Sequence, residues 1–164
     1  SSELGFFLNN EMDDFSSKPG VPNMFGLLGS EANSIFPGKR MLSSMTPTIV
    51  EKNKKLFMIV GTPGGSTIIT SVFQTILNAY EFNMGIQESV NAPRFHHQWM
   101  PDLVIFEPKR FNSELISKLN DKGYNIEEKF SRIIGRVDAI MIDEDGIIST
   151  GADYRGDDSS STLR

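Results

Sequence analysis

The sequence predicts an α+β chain in which sheet layers are covered by helices. Three observations carry that prediction. Residues 48–50 and 56–60 are β-rich apolar runs joined by the charged turn 51–55, which reads as a hairpin. Ile68, Ile69, Val72, Phe73, Ile76, Leu77 and Tyr80 recur at the spacing of one helical face. Residues 137–141 and 146–149 form a second hairpin pattern around Asp143-Glu144-Asp145-Gly146.

The remaining elements follow in order. Residues 4–8, Leu-Gly-Phe-Phe-Leu, read as a short buried strand ended by the polar cluster 9–14. Breakers at Pro19, Gly20, Pro22, Gly26 and Gly29 remove any periodicity, so residues 16–40 form a long irregular segment of the kind used as lids or binding loops. A short helix is expected over residues 87–91, stopping before Pro93. A strand is expected over 103–106, then a helix over 113–121 with Gly123 as its stop. The tail at 156–164 is polar and predicted loose. At 164 residues without an internal repeat, the chain reads as one domain, residues 1–164.

Composition excludes several classes. A net charge of -5 and scattered basic pairs, Lys39-Arg40 and Lys54-Lys55, leave no basic stripe to track nucleic-acid phosphates. No apolar run reaches the roughly 20 residues of a membrane span. No signal segment is visible ahead of residue 4. With 0 cysteines, disulfides, thiolate metal sites and cysteine nucleophiles are all excluded.

Three clusters can carry chemistry. Asn9-Asn10-Glu11-Met12-Asp13-Asp14 gathers amides and carboxylates that can hold an ammonium, a metal or a partner's cation; a solvated acidic turn has the same composition. A metal site is not expected, because His96 and His97 are far off in sequence and adjacent strand residues face opposite ways. Ser43-Ser44 offers paired hydroxyls for a carboxylate, or a turn cap, and lacks the G-x-S-x-G elbow of a serine nucleophile. Thr62-Pro63-Gly64-Gly65-Ser66-Thr67 lies between a strand and a helix. Its glycines admit close approach, and its N–H groups suit a negative charge. The phosphate-loop lysine is absent, so an oxyanion hole or a plain strand–helix turn remains.

The order of these clusters resembles the small-subunit signature of the γ-glutamyltranspeptidases. The resemblance rests on residues 8–16 (LNNEMDDFS), 19–23 (PGVPN), 39–50 (KRMLSSMTPTIV), 61–66 (GTPGGS) and 91–99 (NAPRFHHQW), and runs from about residue 4 to 105. It implies an N-terminal-nucleophile hydrolase with a layered αββα architecture, matured by self-cleavage into large and small subunits. The nucleophilic Thr of such enzymes is expected upstream of Ser1, so the chain by itself is expected to be inactive. Carried over position by position, the resemblance assigns Glu11 and Asp14 to the substrate α-ammonium and Ser43 and Ser44 to its α-carboxylate. Gly64 and Gly65 become the oxyanion-hole glycines, and Phe25 the aromatic of the lid, where several bacterial members place Tyr. Met41 stands where Pro is common in the family, and the family's Asp-Pro-Arg appears as Asp153-Tyr154-Arg155, a structural group.

Arg94 reads as a buried or interface ion-pair partner, and His96 and His97 as structural groups beside Trp99. The implied activity is γ-glutamyl transfer and hydrolysis on glutathione and related amides, with amino-acid or peptide acceptors. It implies a large-subunit partner, no cofactor, and a periplasmic or secreted setting. Alternatives on the same scaffold are an acylase, a poly-γ-glutamate transferase or a non-catalytic binding homologue.

Overall fold

The computed structural model describes residues 3, 5–128 and 134–161, which divide into two compact units, Ser1–Ser44 and Met45–Arg164. The first unit is irregular. Its described residues contain two 3-10 turns, Glu11–Asp14 and Glu31–Asn33, and two isolated bridges, Ser16 with Ser34 and Pro22 with Leu28. None of its described residues is buried, so hydrogen bonds rather than an apolar core give it shape. The strand expected at 4–8 is not formed. Leu4 lies outside the described residues, and 5–8 are turn and coil with Phe7 99% exposed. A strand needs a ladder partner for its N–H and C=O groups, and the described residues of this unit offer none there.

The described residues of the second unit form two sheets. The larger is fully antiparallel, ordered β1 (Thr48–Lys52), β2 (Lys55–Gly61), β6 (Asp138–Ile142), β7 (Ile148–Gly151). The β1–β2 hairpin closes through Asn53 and Lys54, both at positive φ (54° and 63°), as a two-residue turn that follows the strands' twist requires. Alternation along β2 puts Met58 and Val60 on the buried face and leaves Ile59 outside. Val137 and Ala139 join them from the β6 side. Against this face lie Ile68, Val72 and Ala79 of helix α1 (Thr67–Tyr80) and Ile86 and Val90 of helix α2 (Ile86–Asn91). Gly151 allows the close approach of β7 to α2, where a Cβ would sit 3.0 Å from the Ile86 carbonyl. The opposite face is open: Ile49, Ile59 and Ile140 stand side by side across three strands and are all exposed.

The smaller sheet is ordered β3 (Phe95–His96), β4 (Val104–Phe106), β5 (Ile126–Glu128). β4 and β5 are parallel, and helix α3 (Ser113–Asp121) makes the crossover that parallel pairing demands. The Asn112 side chain caps α3 by accepting the Glu114 N–H at 2.8 Å. Its far end is a Schellman closure: Gly123, at φ 89°, donates to Asn120 O, and Tyr124 donates to Leu119 O. Rings of Phe95, Phe106 and Phe111 pack beside this sheet, Phe106 and Phe111 edge-to-face at 4.8 Å. No helix of the described residues is long and apolar enough to cross a membrane.

Candidate functional site

The acidic turn and the serine pair lie in the first unit. Asp14 ends the 3-10 turn Glu11–Asp14 and is half-buried, while Glu11 is exposed. Ser44 donates its hydroxyl to Asp14 Oδ2 at 2.9 Å, which joins two clusters 30 residues apart in sequence. The brace behind this contact is Asn33. Its Nδ2 donates to the Asp14 carbonyl at 2.7 Å, and its Oδ1 accepts the Leu42 N–H at 2.9 Å. Asn33 therefore ties the acidic turn to the segment entering the serine pair. Lys39 steadies the same loop by donating to the Ala32 and Ser34 carbonyls. Ser43 is exposed in the same stretch, next to Ser44. Phe25 sits on a tight turn organised by Asn23, whose Oδ1 accepts the N–H groups of Phe25 and Leu27.

The glycine turn lies in the second unit, between β2 and α1. Gly64 is exposed, with φ 147°, and Gly65 has φ 56°; both belong to the region that favours glycine. A Cβ on Gly64 would meet Thr67 Oγ1 at 2.5 Å and Gly135 Cα at 3.4 Å, so the site admits no side chain. The carbonyls of Gly64 and Gly65 are used by the helix start, accepting from Thr67 N and Ile68 N. Their own N–H groups donate to no acceptor among the described residues. Two adjacent free donors at a helix N-terminus can receive a developing negative charge.

Behind the turn, residues 134–137 press close. Gly135, at φ 71°, has no room for a Cβ, which would lie 2.6 Å from Ser71 Oγ and 3.0 Å from Thr62 Oγ1. Thr62 Oγ1 accepts the Arg136 N–H at 2.7 Å. A buried ion quartet holds the other side. Arg94 donates to Asp153 Oδ2 at 2.7 Å and to the Ile134 carbonyl at 3.1 Å. Arg155 makes a bidentate pair with Glu107, at 2.5 and 2.7 Å, and a third bond to Asp153 Oδ1 at 3.0 Å. Asp153 also accepts the Val137 N–H at 2.8 Å.

Burial alone would push the Asp153 carboxyl up. The N–H groups of Arg155 and Val137 and the Arg94 guanidinium outweigh it and hold the carboxyl below its usual value. Burial, with Arg155 nearby, pulls Arg94 below its usual value. For Arg155, burial is outweighed by Glu107 and Asp153, so its value is raised. Arg94 is thus the buried ion-pair partner that the sequence predicted, and Asp153 and Arg155 are structural.

The histidines also hold structure. His96 is 2% exposed, its Nδ1 bonded to Thr70 Oγ1 at 2.8 Å and its Nε2 to Gln98 Oε1 at 2.9 Å. His97 pairs with Asp102 at 3.1 Å. Trp99, expected to pack beside them, is instead 73% exposed. Among the described residues, no group of three or more His, Cys, Asp or Glu side chains could hold a metal ion.

The γ-glutamyltranspeptidase family model matches residues 1–163. The glutathione hydrolase proenzyme of Escherichia coli strain K12 is 46% identical over 158 residues, covering 96% of this chain and 27% of its own length. The chain thus spans about a quarter of the length of the curated relatives it matches. A Helicobacter pylori γ-glutamyltranspeptidase mutant superposes with TM-score 0.85 at 49% identity, covering 93% of this chain and 82% of that one. The Pseudomonas nitroreducens γ-glutamyltranspeptidase complexed with L-DON superposes with TM-score 0.88 at 41% identity, covering 100% and 85%. These likenesses place the α+β fold with the N-terminal-nucleophile hydrolase type expected from the sequence.

Proposed function

The chain belongs to the γ-glutamyltranspeptidase family, and on that premise we propose that it supplies the substrate-binding groups and oxyanion hole of a γ-glutamyl transferase and hydrolase. The observation that carries the proposal is the Gly64–Gly65 donor pair at the head of α1, whose N–H groups find no acceptor among the described residues. A threonine hydroxyl outside this chain attacks the γ-carbonyl carbon of a γ-glutamyl amide such as glutathione. Charge gathers on the carbonyl oxygen, facing the two glycine N–H groups, and each such donor is worth about 3 kcal/mol in a dry site. Collapse of the tetrahedral intermediate expels the amine, which takes up a proton. The resulting ester passes its acyl group to water or to an amino-acid or peptide amine.

The family resemblance gives residues of the first unit to the α-amino-acid end of a γ-glutamyl group. Glu11 and Asp14 hold the α-ammonium, and Ser43 and Ser44 donate to the α-carboxylate. Those two substrate groups branch from one carbon, so their receptors must adjoin; the 2.9 Å contact of Ser44 with Asp14 supports this pairing. Phe25 covers the pocket as part of a lid at residues 16–40. The rest of the assembly is a large subunit of the same precursor, in a periplasmic or secreted setting, with no cofactor in the reaction.

The test is hydrolysis of a chromogenic γ-glutamyl anilide by the chain co-expressed with the rest of its precursor. Asp14→Ala should remove most of the turnover through lost substrate binding, because the substrate ammonium loses its counter-charge. Unchanged kinetics in that variant would take Asp14 out of the site. No anilide cleavage by the unmodified protein would sink the reading as a whole.

A further inference from the structure

On the function proposed above, the Gly64 and Gly65 N–H groups must point at one oxygen, and direction is what a glycine backbone least guarantees. A peptide unit is planar and trans, so each N–H points opposite to the carbonyl of the preceding residue. The Gly64 N–H is therefore aimed by the Pro63 carbonyl, and the Gly65 N–H by the Gly64 carbonyl. Each of these carbonyls is held by a threonine hydroxyl. Thr62 Oγ1 donates to Pro63 O at 2.7 Å, and Thr67 Oγ1 donates to Gly64 O at 2.9 Å.

Both hydroxyls are themselves placed. Thr62 Oγ1 spends its only hydrogen on Pro63 O, and it accepts the Arg136 N–H at 2.7 Å from the segment packed behind the turn. Thr67 is 3% exposed and opens α1, so its side chain is set by the helix. Its backbone N–H also donates to Gly64 O, at 3.1 Å, which gives that carbonyl two donors.

We propose that Thr62 and Thr67 are positioning residues of the oxyanion hole, each locking the peptide plane that carries one of its donors. They act through the peptide units rather than on the substrate. This inference rests on the assignment of Gly64 and Gly65 as oxyanion donors.

Thr62→Val and Thr67→Val keep the branched shape and delete the hydroxyl donor, whereas Thr62→Ser and Thr67→Ser keep the donor. With the chain assembled with the rest of its precursor and rates normalised to processed enzyme, each valine variant should lose about tenfold in kcat, equivalent to about 1.4 kcal/mol. KM for the γ-glutamyl anilide should stay within about twofold, since ground-state contacts are untouched. Affinity for a tetrahedral γ-glutamyl-mimicking boronate should fall by the same factor as kcat, and the serine variants should restore both. Thr62 is only half-buried, so Thr62→Val carries the test if Thr67→Val does not fold. Undiminished kcat, or kcat and ground-state affinity falling together, would overturn the positioning role alone. An unmodified enzyme without turnover would overturn the functional reading and this inference with it.

Discussion

Replacing Asp153 by alanine removes the hub of the buried quartet. Its side chain is 0% exposed and accepts four bonds: from Arg94, from the Arg155 guanidinium, and from the backbone N–H groups of Arg155 and Val137. Breaking a buried ion pair from one side costs about 3–5 kcal/mol, because the remaining charge stays in place without its partner. Each orphaned N–H adds about 1–3 kcal/mol if it stays dry. These costs overlap. Arg94 keeps the Val90, Ile134 and Gly135 carbonyls, and Arg155 keeps Glu107. The expected net loss is about 4 kcal/mol, a large share of a typical stability of about 5–15 kcal/mol.

Urea unfolding of the assembled protein, followed by far-UV circular dichroism, measures this as a fall in midpoint at constant slope. Asp153→Asn keeps an acceptor oxygen and should lose clearly less. The pH dependence supplies an independent arm. The carboxyl is held low in the folded state, so its contribution is complete above the unfolded value of about 3.9. It fades as pH falls through the lowered folded value, and the gap between wild type and Asp153→Asn should close only in that acid range. A loss below about 1 kcal/mol for alanine, or a gap that closes near neutrality, refutes the reasoning.

Three further outcomes follow from single contacts. Gly135→Ala meets Ser71 Oγ at 2.6 Å at a φ of 71°, so thermal unfolding should show at least about 2 kcal/mol lost; a wild-type melting curve would contradict the packing. Asn33→Ala frees Asp14 from Leu42 and should raise KM for a γ-glutamyl anilide about tenfold with kcat nearly kept; an unchanged KM would remove Asn33 as a brace. Asn112→Ala deletes the α3 cap and should cost about 1 kcal/mol, read as faster amide exchange confined to the first turn of α3; uniform exchange would show that the cap is idle.

Elements with a strong local period were legible in the sequence. The helix expected over 113–121 spans those residues, and α1 begins at Thr67, one residue before the first apolar position of its stripe. Both hairpins formed, with the second strand of the later one shifted to Ile148–Gly151 because Asp143 Oδ1 holds Asp145 and Ile147 in the turn. What failed was pairing that depends on remote neighbours. β3 is two residues long inside a His- and Pro-containing block, and β5 carries two glutamates, so neither shows a period. At 5–8 the apolar composition was read correctly, but composition does not supply a ladder partner.

The site divides in the same way. Gly64 and Gly65 announce themselves between a strand and a helix. Asn33 carries no such signal, because its two bonds reach 19 and 9 residues along the chain. Gly135 could have been noticed only as a lone glycine ahead of a strand, and its need for a missing Cβ comes from Ser71 and Thr62, both distant in sequence. Arg94 and Arg155 stood out within blocks of the family resemblance, while Glu107, which closes the quartet, carries no signal in the sequence.

The quartet also sets a clock on synthesis. Arg94 waits 59 residues for Asp153, and Glu107 waits 48 for Arg155, so at about 5–20 residues per second the ribosome leaves both unmatched for seconds. During that interval the chain cannot close over them without burying bare charge. The segment behind the glycine turn, which Arg94 and Asp153 secure, therefore settles only after residue 155 has been made, and the Gly64–Gly65 turn that packs against it waits for the same event.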